Sequence, residues 1–238
     1  MVKGFQYVKE KLKPLFKVRS KDKIEEYLSK YLGPPKSIII VDIGAHRGDF
    51  IDSIERHYEI GKAVLIEPIP DLAIYLQSKF NRGNILIFQN VLCDKDQESV
   101  EFQINEYEET SSLLQIKSDM VELSNVETRL AKKVNVLART LDSIFIGTEL
   151  GSIDLIKIDV QGAEHLVLKG AVNTLKVAHF VWIELSFKPL YIGSSIFHHI
   201  YEIMEANNFV LLEISPGHRS PKNELLQADA LFGNLKYL

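Results

Sequence analysis

The hydrophobic residues of this chain fall in short apolar runs that alternate with segments of helical spacing. The runs are rich in Ile, Val and Leu, which is typical of strands buried on both faces of a parallel sheet. Helical spacing follows the first run at Phe50, Ile51 and Ile54. Seven runs are predicted to be strands: 38–43, 63–67, 85–88, 153–158, 180–185, 209–214 and 228–233. Residues 99–104 alternate like a strand and are a candidate hairpin arm, and 134–137 form another strand-like run. This alternation predicts an α/β fold.

The first run leads into the most informative stretch of the chain. Residues 37–50 read SIIIVDIGAHRGDF, so a buried strand passes through Asp42, turns through Gly44 and Gly48, and leads into a helix. Glycine lets the backbone come close to a ligand, and the free N–H groups of the helix start point toward that ligand. The order strand, glycine turn, helix therefore predicts a ligand site at the end of this strand.

The details of the turn limit which ligand it holds. A dinucleotide fingerprint needs glycine in the middle of G-x-G-x-x-G, and His46 stands there, which argues against an NAD-dependent oxidoreductase. The Walker phosphate loop with its Lys-Ser/Thr ending is also absent. Asp42 stands within the strand end, and a carboxylate suits a ligand that carries an ammonium or a sulfonium. A tight turn in another kind of α/β protein is the alternative interpretation.

Further polar residues stand at the ends of later runs. Glu67 ends the second run, where an acid is the expected partner of ribose hydroxyls in nucleotide-binding sheets. Asn90 follows the third run and is a candidate for contact with adenine. Asp159 follows the run at 153–158, and Glu184 stands near the end of the next. Ligands bind beyond the carboxyl ends of strands in open α/β sheets, so we expect these side chains along one edge.

Composition limits the class of protein. The 238 residues are 46% hydrophobic and 25% charged, which suits one α/β domain with a substantial core. The net charge of −4 gives no overall field that favours nucleic acid. Cys93 is the single cysteine, which fits a reducing compartment. The sequence shows neither a membrane-spanning apolar stretch nor a signal-peptide core, so we predict a cytoplasmic protein.

Two segments differ from this pattern. Residues 1–33 are basic and weakly periodic, and we predict a helical extension there, followed by the α/β domain over 34–238. The extension is either a solvated helix, which such charge runs usually form, or a contact for an anionic surface such as a membrane. Residues 105–133 are polar with few core signals. Because long excursions in compact domains are usually functional or disordered, we predict a loop or lid over the site.

Four stretches, in this order along the chain, carry a resemblance to a known family. They read DIGAHRG, IEPIP, IKIDVQGAEHLVLKGA and ADALF. With them the chain resembles FkbM-type methyltransferases over roughly residues 38–233, and the family is similar to other class I methyltransferases. The resemblance implies a Rossmann-like, seven-stranded, mostly parallel sheet with helices on both faces and an antiparallel last strand. Gln161 is a departure, since many relatives have an acid there.

The resemblance also implies a cofactor, S-adenosylmethionine, and a set of residues that bind it. The turn at Gly44 and Gly48, with Asp42, would hold the methionine end, and Glu67 would hold the ribose. The complete expected set is Asp42, Gly44, Ala45, His46, Gly48, Glu67, Asn90 and Asp159.

The implied reaction transfers a methyl group to a hydroxyl on a sugar, a glycan or a secondary metabolite. A hydroxyl is a poor nucleophile until a base takes its proton, and the candidate catalytic carboxylates are Asp159, Glu164 and Glu184. We favour the first two because they flank the turn at Gly162. A divalent cation held by Asp159 and Glu184 is another means of activating the hydroxyl, although the sequence lacks a local cluster of oxygen ligands. The alternative function is a sensor or scaffold that binds S-adenosylmethionine without turnover.

Overall fold

The computed structural model describes residues 21–33, 37–119, 128–148 and 150–238. The strands within these ranges are β1 (Ser37–Ile43), β2 (Glu59–Ile66), β3 (Ile85–Phe88), β4 (Val91–Leu92), β5 (Gln97–Asn105), β6 (Leu130–Arg139), β7 (Ile153–Ile158), β8 (Ala178–Ser186), β9 (Phe209–Pro216) and β10 (Gln227–Asn234). The α-helices are α1 (Lys21–Leu32), α2 (Asp49–Ile54), α3 (Pro70–Lys79), α4 (Leu141–Ile146), α5 (Glu164–Lys169), α6 (Val172–Leu175) and α7 (Phe197–Ala206). A 3-10 helix spans Glu108–Thr110.

Seven strands form the main sheet in the order β3-β2-β1-β7-β8-β10-β9. The five adjacent strands β3, β2, β1, β7 and β8 pair in parallel. Strand β10 runs antiparallel to both β8 and β9. The predicted α/β fold, with a mostly parallel seven-stranded sheet and an antiparallel last strand, is confirmed. The strand order reverses between β1 and β7, which is where ligands bind in sheets of this kind.

Burial on both faces explains why the strands read as continuous apolar runs. On one face, Ile38 and Ile40 of β1 pack with residues of α1, α2 and α3. On the other face, Val41 and Ile43 pack with residues of α4, α5 and α7. Successive side chains of a strand point to opposite faces, so an apolar residue is needed at nearly every position.

A second, smaller sheet has the order β4-β6-β5. Its antiparallel pair β5 and β6 includes both ends of the excursion predicted as a loop, because β5 extends to Asn105 and β6 begins at Leu130. The prediction of a loop across the whole of 105–133 is therefore wrong at both ends. Residues 106–119 and 128–129 form the described part of the connection, and residues 120–127 lie outside the described residues.

Helix α1 is the described part of the N-terminal extension, and it packs on the main sheet. Ile24 and Leu28 belong to the same buried cluster as Trp182 of β8. The ring centroid of Tyr27 lies 6.1 Å from that of Trp182. The basic residues of 1–20 lie outside the described residues, so the division of the chain after residue 33 stays a prediction. No helix within the described ranges is both long and apolar enough to cross a membrane.

Candidate active site

A pocket opens at the carboxyl edge of the main sheet, where β1, β2 and β7 end. Its wall includes seven of the residues predicted from sequence: Gly44, Ala45, His46, Glu67, Asn90, Asp159 and Glu184. Three other predicted residues, Asp42, Gly48 and Glu164, do not line it. The strand order thus brings most of the predicted set together, although the residues come from segments far apart in the chain.

The turn after β1 lies against the end of β7. Gly44 has a φ of 76°, and a Cβ atom at this position would lie 1.9 Å from the carbonyl oxygen of Asp159. Glycine is therefore required for this close approach. The N–H of Gly44 donates to the carbonyl of Ile66 at 3.0 Å, which ties the turn to β2 as well. Gly48 stands at the start of α2 and has a φ of 74°. It packs against the ring of Phe80.

Asp42 lies behind the pocket wall and contacts a lysine that the sequence reasoning missed. The carboxylate is fully buried, and its Oδ1 lies 3.1 Å from Nζ of Lys157 on β7. The same ammonium donates to the carbonyl oxygen of Gly44 at 3.1 Å and lies 3.9 Å from Oδ2 of Asp159. Lys157 itself stands in the pocket wall. The sequence does contain a signal for Lys157, because it is a charged residue within the apolar run IKI at 156–158.

Glu67 follows β2 with its carboxylate fixed by two backbone donors. Oε2 accepts from the N–H of His46 at 2.8 Å, and Oε1 accepts from the N–H of Ile69 at 2.9 Å. Burial raises the pKa of Glu67 to about 7, although these hydrogen bonds and the charge of Lys157 act to lower it. Each carboxylate oxygen has a second lone pair, so the side chain is able to accept from ligand hydroxyls as well.

The segment around the 3-10 helix completes another part of the wall. The guanidinium of Arg47 donates to Oε2 of Glu108 at 2.9 Å, which joins this segment to the turn after β1. Nε2 of His46 lies 3.8 Å from the same carboxylate, and burial lowers the pKa of His46. The hydroxyl of Tyr191 donates to the carbonyl of Thr110 at 3.1 Å. Four residues of this excursion, Glu108, Glu109, Ser111 and Leu113, line the pocket, in keeping with the predicted position over the site.

The amide of Gln161 joins the two candidate carboxylates of the wall. Its Nε2 donates to Oδ1 of Asp159 at 2.6 Å and lies 3.4 Å from Oε2 of Glu184, to which it also donates. Oε2 of Glu184 accepts a second hydrogen bond from an amide, that of Gln227, at 2.6 Å. Asp229 of β10 stands opposite Glu184 of β8 in the antiparallel register of the two strands, and it lines the same pocket. Sequence reasoning named neither glutamine as part of the site.

This arrangement does not suit the predicted divalent cation. The amide of Gln161 donates to one oxygen of each carboxylate, so a hydrogen-bond donor already stands between Asp159 and Glu184, where a bridging cation would have to lie. The ammonium of Lys157 also brings positive charge to within 3.9 Å of Asp159. Among the described residues, there is no group of three or more His, Cys, Asp or Glu side chains that could hold a metal ion.

Glu164, predicted as a catalytic residue, is turned into the loop between β7 and α5. The side chain is buried, and its Oε1 accepts from the N–H groups of Gly162 at 3.0 Å and Val160 at 3.3 Å. Burial raises the pKa of Glu164 to about 7. These contacts hold the loop that carries Gln161. A catalytic role for Glu164 stays a prediction, and its observed contacts are structural.

Comparison with known proteins assigns the family. A model of the methyltransferase FkbM domain matches residues 42–211, which is more than half of the 238 residues. The chain belongs to the FkbM methyltransferase family. Membership of this family supports S-adenosylmethionine as the methyl donor, as the resemblance in its sequence implied.

Two relatives of this FkbM methyltransferase are informative. It is 27% identical over 198 residues to the 2-O-methyltransferase NoeI of Sinorhizobium fredii, with 79% of each chain covered. Its fold resembles that of a methyltransferase FkbM from Methylobacillus flagellatus, with a TM-score of 0.50 and 15% identity. That likeness covers 82% of this chain and 43% of the other, so this chain spans less than half of the solved one. It supports the class I fold alone.

Proposed function

We propose that this FkbM methyltransferase methylates a hydroxyl oxygen of a sugar, a glycan or a secondary metabolite, with a sugar as the favoured acceptor. The observation that carries the proposal is the position of Asp159, which stands in the pocket wall beside the Gly44 turn. A carboxylate at that position is suited to take the proton of a hydroxyl. The relative named as a 2-O-methyltransferase supports oxygen as the acceptor atom.

The residues of the wall fit S-adenosylmethionine, which supplies a methyl group on a positively charged sulfur. The bare backbone at Gly44 would receive the methionine end, and Glu67 would accept hydrogen bonds from the ribose hydroxyls. Asn90, whose amide donates to the carbonyl of Leu137 at 3.1 Å, would lie at the adenine end. The apolar residues Ile69, Val91, Leu92 and Phe102 line this part of the pocket as well.

Among the three candidate carboxylates, Asp159 is best placed to act as the base. Glu184 already accepts from two amides at one oxygen, which suits a role in orienting the acceptor. Glu164 is absent from the pocket wall and accepts from the backbone N–H groups of Val160 and Gly162. In the proposed reaction, the acceptor oxygen bonds to the methyl carbon as the carbon–sulfur bond breaks, and the hydroxyl proton passes to Asp159. Alignment of these atoms supplies a large part of the rate enhancement, up to about 7–11 kcal/mol.

The test begins with calorimetric titration of the protein with S-adenosylmethionine and, separately, with NAD. We expect binding of the first only, and a much weaker affinity in Glu67→Ala. Methyl transfer to neutral sugars and glycans is then measured with radiolabelled donor. Asp159→Asn should keep the donor affinity within a few-fold and lose at least about a hundredfold in turnover, the typical contribution of a general base.

Asp154→Asn is the matched control for this variant. Asp154 lies on the same strand, and its Oδ2 accepts from the backbone N–H of Ile39 at 2.8 Å, away from the pocket wall. Turnover in this control should match that of the wild type. Undiminished turnover in Asp159→Asn would exclude Asp159 as the base. Donor binding without transfer to any acceptor would favour the sensor or scaffold function instead.

A further inference from the structure

Lys157 is the residue of the pocket wall that connects the two strands at the reversal of strand order. It lies on β7, and its Nζ is 3.1 Å from Oδ1 of Asp42 on β1 and 3.1 Å from the carbonyl oxygen of Gly44. The side chain is only 12% exposed, and Nζ lies 5.7 Å from the ring centroid of Phe50. One ammonium group thus contacts both β1 and the turn that follows it.

The contact matters because it joins a side chain of β7 to the peptide between Gly44 and Ala45. Glycine permits a wide range of backbone rotation, so its carbonyl direction has to be set by hydrogen bonds. Lys157 holds the carbonyl oxygen, and the N–H of Ala45 on the same peptide donates to the carbonyl of Ile66 at 3.1 Å. The peptide is therefore held from β7 on one side and from β2 on the other.

The charge of Lys157 also balances the charge of Asp42. A buried carboxylate needs a paired cation, because removal of one partner leaves an uncompensated charge in the interior. The effect reaches Glu67, whose pKa is lowered by the charge of Lys157 and raised by that of Asp42. The pair therefore acts as one unit behind the turn, while Asp42 itself is absent from the pocket wall.

We propose that Lys157 is a positioning residue, which together with Asp42 holds the Gly44–Ala45 peptide in the orientation that receives the methionine end of the donor. The inference rests on the proposed function and deepens it. It assigns Asp42 an indirect role through Lys157, in place of the direct contact with the methionine end that the sequence predicted.

The first test compares two ligands by calorimetry: S-adenosylmethionine, and 5′-methylthioadenosine, which keeps the adenosine and the sulfur but lacks the amino-acid part. Lys157→Met should weaken binding of S-adenosylmethionine about tenfold or more, since a charge-assisted hydrogen bond that positions the turn is lost. Binding of methylthioadenosine should stay within about twofold of the wild type. An equal loss for both ligands would indicate a general structural role and overturn the proposal.

Lys62→Met is the matched control. Lys62 is a partly buried lysine on β2, the strand on the other side of β1. Its Nζ also donates to a backbone carbonyl, that of Thr148, at 3.0 Å. The side chain is absent from the pocket wall. Both affinities should equal those of the wild type. If the wild type binds neither ligand, the proposed function itself fails, which is a different result from an equal loss in Lys157→Met.

The second test is a double-mutant cycle with Asp42→Asn. If the pair acts as a unit, Asp42→Asn/Lys157→Met should bind S-adenosylmethionine no more weakly than Lys157→Met. Losses that add would show that Asp42 contacts the ligand independently and would overturn its assigned role. Circular dichroism checks the fold of each variant. If Lys157→Met does not fold, the double variant, which has neither charge, provides the comparison of the two ligands.

Discussion

A Cβ atom on Gly44 would lie 1.9 Å from the carbonyl oxygen of Asp159, so the turn after β1 and the end of β7 touch through their backbones. The contact places the glycine proposed to receive the donor beside the carboxylate proposed to take the acceptor proton. Two functions of the site therefore depend on one residue without a side chain.

Gly44→Ala should destabilise the protein by more than about 1 kcal/mol and abolish binding of S-adenosylmethionine. Alanine is strained at a φ of 76°, and its Cβ would collide with backbone that cannot move cheaply. Urea unfolding and calorimetry measure the two effects. Gly83→Ala is the control, since a Cβ atom there has nothing within 4 Å. Equal stability of the two variants would contradict the close contact.

The contributions of Glu67 and Glu164 to the stability of the protein should fall as the pH rises from about 4.5 to about 7. Burial raises the pKa of Glu67 and of Glu164 from 4.5 to about 7, so the folded chain binds more protons than the unfolded chain in that window. Each group contributes a slope of up to about 1.4 kcal/mol per pH unit. Glu67→Gln and Glu164→Gln should each flatten the dependence of the urea midpoint on pH. The exposed Glu202→Gln should leave the slope unchanged, and parallel curves for all the variants would refute the shifts.

Gln161→Glu should create a divalent cation site between Asp159 and Glu184. The substitution replaces an amide donor with a third carboxylate beside Asp159 and Glu184. We therefore expect the free energy of unfolding at pH 8 to fall by about 1–3 kcal/mol. Magnesium or manganese should recover part of this loss in the variant and have no effect on the wild type, as thermal unfolding would show. Gln77→Glu on the exposed side of α3 serves as the control. A variant as stable as the wild type without metal would disprove the bridging role of the amide.

Leu28→Ala in α1 should cost about 2–5 kcal/mol of unfolding free energy. Leu28 is fully buried against the main sheet, and truncation would leave a cavity beside residues that support the pocket. Leu235→Ala, at a position that is 61% exposed, should change stability by no more than about 0.5 kcal/mol. A small effect in Leu28→Ala would mean that α1 adds little to the core.

Much of the fold could be predicted because a buried parallel strand has a local signature. The first predicted strand, 38–43, differs from β1 by one residue, and the run at 153–158 coincides with β7. The second predicted strand starts at residue 63, but β2 begins at Glu59. The prediction missed its first positions because they alternate between exposed and buried side chains and do not form an apolar run. The small sheet was only partly foreseen, since its strands carry polar residues on an exposed face.

The sequence by itself determined the α/β class, the positions of most strands along the chain and the presence of polar groups at their ends, because each of these depends on residues next to one another in the chain. Only the tertiary structure decided which of those groups face the pocket. Lys157 reaches Gly44 across 113 positions of sequence, and Ile24 of α1 enters the same pocket wall. Glu164, whose role at the reacting centre stays a prediction, accepts from backbone donors in its own loop. Side-chain direction at a strand end depends on the neighbouring strands, and strand pairing between distant segments leaves no local trace in the sequence.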